Sequence, residues 1–230
     1  MCRKFILYMN KNIKIGAGFT LIELVISIFI LSVAIIGVAN AFNVITILTS
    51  DSTNKITAAY LAQEGMEIVR NIRDTNWLIM DNLCKTGDCS SGVAWTWNNG
   101  FDQCSNGCEM DYTTRTDNQA TVSMITPWSS NGRYLKIDQH ENGNGFYGYS
   151  ANLNSVDSKF KRKITITNIT DTDNLPYPYN HIVKARVEVS WDVKATILDI
   201  SGSKAGVNCV EGKNCVIAEE TLYNWYFPKH

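Results

Sequence analysis

With 230 residues, 45% of them hydrophobic and 19% charged, the chain has room for one ordinary domain plus a membrane element, and it is neither disordered nor wholly lipid-embedded. The formal net charge of −1 hides an asymmetry: residues 1–18 hold Arg3, Lys4, Lys11 and Lys14 and no acid. Setting those four of the 21 basic side chains aside leaves 17 against 22 acidic ones, an acidic body that excludes bulk nucleic-acid binding, which needs a basic footprint.

The basic segment 1–18 ends in Gly16-Ala17-Gly18. Residues 19–48 follow as an apolar run whose one charged side chain is Glu23. From Leu24 to Leu48 no residue is charged, a length of about 37 Å as a helix at ~1.5 Å per residue. That exceeds a hydrocarbon core of about 30 Å. Its Ile, Leu, Val and Phe side chains favour insertion by roughly 5–10 kcal/mol. A buried core helix is the competing reading, and an uncharged run this long directly behind a basic N-terminus argues against it. Basic residues precede the span and acids dominate beyond it, so the N-terminus is expected on the cytoplasmic side and the bulk of the chain outside.

Helical spacing continues past the span. Ile56, Ala59, Ala62, Met66, Val69 and Ile72 make an apolar stripe, with Lys55, Glu64, Glu67 and Arg70 mostly off it. Gly65 weakens this segment as a helix, and Asp74-Thr75-Asn76 is expected to end it. Residues 49–76 are thus the amphipathic half of one long helix.

Residues 77–132 change character, with Gly, Asn, Ser and Asp abundant and short strands expected near Trp95–Trp97 and Glu109–Thr113. Besides Cys2 the chain holds six cysteines in three close pairs: Cys84 with Cys89, Cys104 with Cys108, and Cys209 with Cys215. Grouped cysteines in even number beyond a membrane segment point to disulfides in an oxidising compartment. Zinc is the alternative, although His140, His181 and His230 do not neighbour any cysteine. Six cysteines allow ~15 pairings, of which neighbour pairing is the simplest.

Strands dominate from residue 133. Arg133–Asp138 and Phe146–Tyr149 are expected strands around the Gly143-Asn144-Gly145 turn. In Phe160–Ile169, Phe160, Ile164 and Ile166 alternate with Lys161, Lys163, Thr165 and Thr167. Val187, Val189, Trp191 and Val193 alternate with Arg186, Glu188, Ser190, Asp192 and Lys194, and a final strand is expected over Val216–Tyr226. One apolar face per strand fits an antiparallel sheet covered on that face by the helix stripe. The expected fold is α+β: a long N-terminal helix, apolar and then amphipathic, packed on an antiparallel sheet occupying 133–230.

The string Gly18-Phe19-Thr20-Leu21-Ile22-Glu23, behind a basic leader and ahead of a span, resembles the processing signal of type IV prepilins and type II secretion pseudopilins. More weakly, Glu64-Gly65-Met66-Glu67, Val69–Asp74, Phe160–Ile164, Val187–Trp191 and Leu222–Trp225 are similar to minor pilins of the PilV kind. The resemblance implies a pilin-like fold and removal of residues 1–18 by a prepilin peptidase that cuts between Gly18 and Phe19 and methylates the new amine of Phe19. It implies assembly through Glu23, whose carboxylate meets the Phe19 amine of a neighbouring pilin or pseudopilin subunit. It implies, as further partners, an inner-membrane assembly platform and membrane lipid, and it places the outer domain in an extracellular or periplasmic filament. A charge at the edge of a span costs about 2–3 kcal/mol unless paired, so a partner for Glu23 has a physical reason; a snorkelling, unpartnered Glu23 is the alternative. The span lacks the mid-helix proline of many major pilins, which inclines the resemblance to a minor subunit. Translation from Met9 would give the shorter leader MNKNIKIGAG.

A structural subunit is therefore expected, with no catalytic residues, no cofactor and no metal. A tip adhesin or DNA-capture subunit with ligand contacts in 77–132 is the alternative. Asp171-Thr172-Asp173-Asn174 offers calcium ligands or a solvated turn, lacking the glycine and terminal glutamate of a helix–loop–helix site. Trp95, Trp97, Trp128, Tyr147 and Tyr149 are either an aromatic contact surface or aromatics buried under the loop.

Overall fold

A computed structural model describes residues 18–85, 96–118, 121–123, 125–138, 145–149, 155–169, 182–193, 209 and 214–224. The chain divides into two units, Met1–Ser50 and Asp51–His230, and helix α1 (Leu21–Lys85) contributes to both. In the first unit residues 18–46 are exposed throughout. The few polar side chains of this stretch bond to their own helix: the hydroxyls of Ser27, Ser32 and Thr46 donate to the carbonyls of Glu23, Phe29 and Phe42 at 2.7, 2.7 and 2.9 Å. An apolar surface with its hydroxyls satisfied internally suits lipid, where no water can take them up. This is the one helix among the described residues long and apolar enough to cross a membrane.

Among its described residues the second unit holds the rest of α1 and ten strands: β1 (Cys108–Glu109), β2 (Arg115–Asn118), β3 (Thr121–Ser123), β4 (Thr126–Pro127), β5 (Lys136–Asp138), β6 (Phe146–Gly148), β7 (Ser155–Asp157), β8 (Phe160–Asn168), β9 (Ile182–Trp191) and β10 (Cys215–Tyr223). They form a five-stranded sheet β10-β9-β8-β1-β4, a pair β2-β3 and a three-stranded sheet β6-β5-β7, antiparallel throughout. The fold is α+β and pilin-like, as expected. The alternation in β9 holds: Val183, Ala185, Val187, Val189 and Trp191 are buried and join the core made by Ala58, Leu61, Ala62, Met66, Val69 and Ile72 of α1. β10 lies at an edge of the sheet.

Several local expectations change. Ile56 is 59% exposed and Ala59 only half-buried. Steps of three drift backwards at about 100° per residue, so Ile56 falls off the face that Ala62, Met66 and Val69 share. α1 also runs through Asp74-Thr75-Asn76 to Lys85. Asn76 is buried and spends its amide on the loop beyond, its Nδ2 donating to the carbonyls of Trp97 at 3.1 Å and Asn99 at 3.0 Å, instead of capping its own helix. Trp77 packs into the core with its Nε1 donating to Asn224 Oδ1 at 3.0 Å. Trp97 lies in a turn and not a strand, because Asn98-Asn99-Gly100, with Gly100 at φ 85°, leads into a 3-10 turn at Phe101–Cys104. Trp95 is outside the described residues. β1 stops at Glu109 because the Asp111 carboxylate takes the Thr113 N–H at 2.9 Å and closes a turn. β5 begins only at Lys136, since the Arg133 N–H goes to Glu109 Oε1 and the Leu135 N–H to the Phe160 carbonyl.

The largest departure concerns charge. Lys161 is buried instead of facing solvent: its Nζ donates to the Asn131 carbonyl at 2.7 Å and sits 4.3 Å from the centre of the Tyr134 ring. Arg162 is wholly buried, donating to the Leu61 carbonyl of α1 at 3.2 Å and the Met110 carbonyl at 2.8 Å, with Glu64 Oε1 3.3 Å away. Gly65 stands at this crossing. A Cβ there would lie 2.8 Å from Val187 Cγ1 and 3.0 Å from Arg162 Cδ, so the glycine that weakens the isolated helix is what lets it approach the sheet.

Two of the expected cystines are present, Cys104–Cys108 with Cα atoms 4.8 Å apart and Cys209–Cys215 with 5.6 Å. The Cys84 side chain and Cys89 lie outside the described residues. Each closed loop is short, worth about 2 kcal/mol at most on the chain-entropy account. Digestion without reductant is expected to return Cys104 joined to Cys108 and Cys209 to Cys215. A free thiol at any of the four, or zinc in stoichiometric amount, contradicts this.

Candidate processing and assembly site

The site is the start of α1. Phe19 is 78% exposed, and Thr20 immediately precedes the first helical residue, Leu21. The Thr20 hydroxyl accepts the Glu23 N–H at 3.3 Å, and its carbonyl accepts the Leu24 N–H at 3.1 Å. Thr20 is thus the N-cap, and Glu23 occupies the third helical position, where a carboxylate also complements the positive end of the helix dipole. The Thr-x-x-Glu spacing is a capping signal readable in sequence.

Two facts stand out. Among the described residues a Cβ on Gly18 would meet nothing within 4 Å, and its backbone is outside the left-handed region, so nothing described demands glycine there. Glu23 has no ion-pair partner among the described residues, although it opens a helix that is otherwise uncharged to Leu48. A small residue that no described neighbour requires and a carboxylate with no ion-pair partner among the described residues sit five positions apart at the mouth of an exposed apolar helix.

The other candidates fare differently. Trp97 is buried, Tyr147 and Tyr149 pack against the core, and the Trp128 ring lies over Gly132, so these aromatics are not a free surface. Burial pushes the Tyr149 hydroxyl well above its usual range, and that hydroxyl donates to the Arg162 carbonyl at 2.9 Å. Asp171–Asn174 lies outside the described residues. No group of three His, Cys, Asp or Glu arranged for a metal occurs among those described.

A family model described as the prokaryotic N-terminal methylation motif matches residues 16–39. No curated protein and no solved structure matches the chain significantly.

Proposed function

We propose that this chain, whose residues 16–39 carry the signature of type IV pilins and pseudopilins, is a minor structural subunit of a pilus or pseudopilus. The signature points to a structural subunit rather than an enzyme, and it implies processing by a prepilin peptidase and assembly with other pilins. The apolar helix suggests membrane anchoring. On this reading residues 1–18 are the leader, cleavage falls between Gly18 and Phe19, and Phe19 carries the methylated amine. Residues 19–48 hold the subunit in the membrane and then in the filament, and the domain beyond lies outside the cytoplasm. The absence of proline before Pro127 favours the minor role.

The observation that carries the reading is the coincidence at the start of α1. Gly18 answers to no packing need among the described residues, which fits a peptidase that tolerates only a small residue at the cut. Glu23 lies about 6 Å along the helix from the amine that the cut creates. Mass spectrometry of membrane-extracted protein is expected to find a chain beginning at N-methylated Phe19. Gly18→Leu is expected to leave the whole precursor in the membrane with its domain folded, since no described residue opposes the larger side chain. A mature protein that still contains Lys14 overturns the reading.

A further inference from the structure

The Gly18–Phe19 bond joins two exposed residues that lie just outside α1. Among the described residues nothing donates a hydrogen bond to the Gly18 carbonyl. A peptidase needs a bond in that condition, because water must add to a carbonyl that is not already held within a helix. The conformation changes two residues further on. The Thr20 carbonyl accepts the Leu24 N–H at 3.1 Å, the first bond of the helix, and the Thr20 hydroxyl accepts the Glu23 N–H at 3.3 Å. That hydroxyl bond favours position 20 as the place where the helix begins.

The chain contains a rival start. Glycine is itself a passable N-cap, only slightly poorer than threonine. A helix begun at Gly18 would gain the bonds from the Ile22 and Glu23 N–H groups to the Gly18 and Phe19 carbonyls. The Gly18 carbonyl would then be its first acceptor, closed to attack. No proline stands in this stretch to forbid such growth. The glycine that admits a peptidase thus also lets the helix grow over the cut. Glu23 does not hold the start by hydrogen bonding. In a complete capping box its carboxylate would reach back to the Thr20 N–H, and that bond is not made. Among the described side chains, that of Thr20 is the one bonded to a first-turn N–H.

We infer, on the processing reading given above, that Thr20 is a positioning residue for the cleavage. Its hydroxyl fixes the start of α1 past the cut and keeps the Gly18–Phe19 bond in the non-helical form that the peptidase hydrolyses. In that step water adds to the Gly18 carbonyl and the C–N bond to Phe19 breaks. The products are the Gly18 carboxylate and the Phe19 amine. Thr20 exchanges no atom or proton in the step; it sets the fraction of precursor whose bond is open.

The test is steady-state cleavage of the full-length precursor by a prepilin peptidase in detergent, read as product beginning at Phe19. Wild type is expected to be cut between Gly18 and Phe19. If it is cut elsewhere or not at all, the processing reading itself fails, whatever the variants do. Thr20→Ala removes the cap and is expected to lower kcat/KM about fivefold, the equivalent of ~1 kcal/mol. The loss falls on KM while kcat is kept, because closing the bond lowers the competent fraction and leaves the chemistry of the open form alone. Thr20→Asn, different in shape but at least as good a cap, stays within about twofold of wild type. Residue 20 belongs to the first unit and not to the core of the outer domain, so neither substitution acts by unfolding it. Cleavage of Thr20→Ala as fast as wild type overturns the proposal, as does a loss confined to kcat. So does a Thr20→Asn variant as slow as Thr20→Ala, which makes the hydroxyl a direct contact with the peptidase.

Discussion

Glu23→Ala is expected to remain in the membrane with an intact outer domain and to fail at filament entry. Insertion persists or improves, because the change removes the one charge from an apolar stretch. The start of α1 also survives, since the Thr20 hydroxyl bonds the backbone N–H of residue 23, which alanine keeps. What is lost is the carboxylate that has no partner within the described chain and that, on the proposed reading, meets the Phe19 amine of a neighbour. Truncating one member of a desolvated charge pair costs roughly 2–5 kcal/mol, as the other charge is left buried and alone. At ~1.4 kcal/mol per tenfold, recruitment drops by about 30-fold or more. The measurement is the ratio of subunit in sheared filaments to subunit in membranes, wild type against variant. Equal ratios make Glu23 an ordinary interfacial acid and remove the central mechanism. A partial effect favours a tip position, where no neighbour stands above to be engaged.

This site was legible because its signal is local. A basic leader, Gly18, Phe19 and Glu23 stand within a few residues, and the apolar run behind them needs no tertiary partner to be recognised. β8 and β9 were legible for the same reason, since period two writes one face of a sheet directly into the chain. What the sequence did not yield depends on partners distant along it. Lys161 reads as facing away from the core because nothing nearby announces Tyr134 or Asn131, and nothing near Arg162 announces the Met110 and Leu61 carbonyls that bury it. The end of α1 was placed too early because Asn76, a good breaker in isolation, is claimed by backbone carbonyls of residues 97 and 99.

Arg162 is expected to be the costliest side chain to truncate in the outer domain. It joins three parts of the unit: β8 by its backbone, α1 through the Leu61 carbonyl and Glu64, and the segment after β1 through the Met110 carbonyl. Its guanidinium is fully buried, and Nε has no hydrogen-bond partner among the described residues, so the arrangement already bears a desolvation cost. Glu64 is partly exposed and water can take it over, so the loss in a variant comes from elsewhere. Arg162→Ala leaves the buried Met110 carbonyl without its charged donor, at about 1–3 kcal/mol, and opens a cavity where the stem packed beside Gly65. Together about 3–5 kcal/mol is expected, or roughly 6–20 °C in Tm for a unit of this size. Arg162→Met separates the two contributions, because it fills the volume and keeps only the polar loss, so about 1–3 kcal/mol should remain. Thermal unfolding of the two variants in detergent, disulfides intact, gives the comparison. If Arg162→Met is as stable as the wild type, the fork of hydrogen bonds does no more than offset its own burial, and apolar packing around Gly65, with the Arg70–Glu220 pair, holds α1 to the sheet.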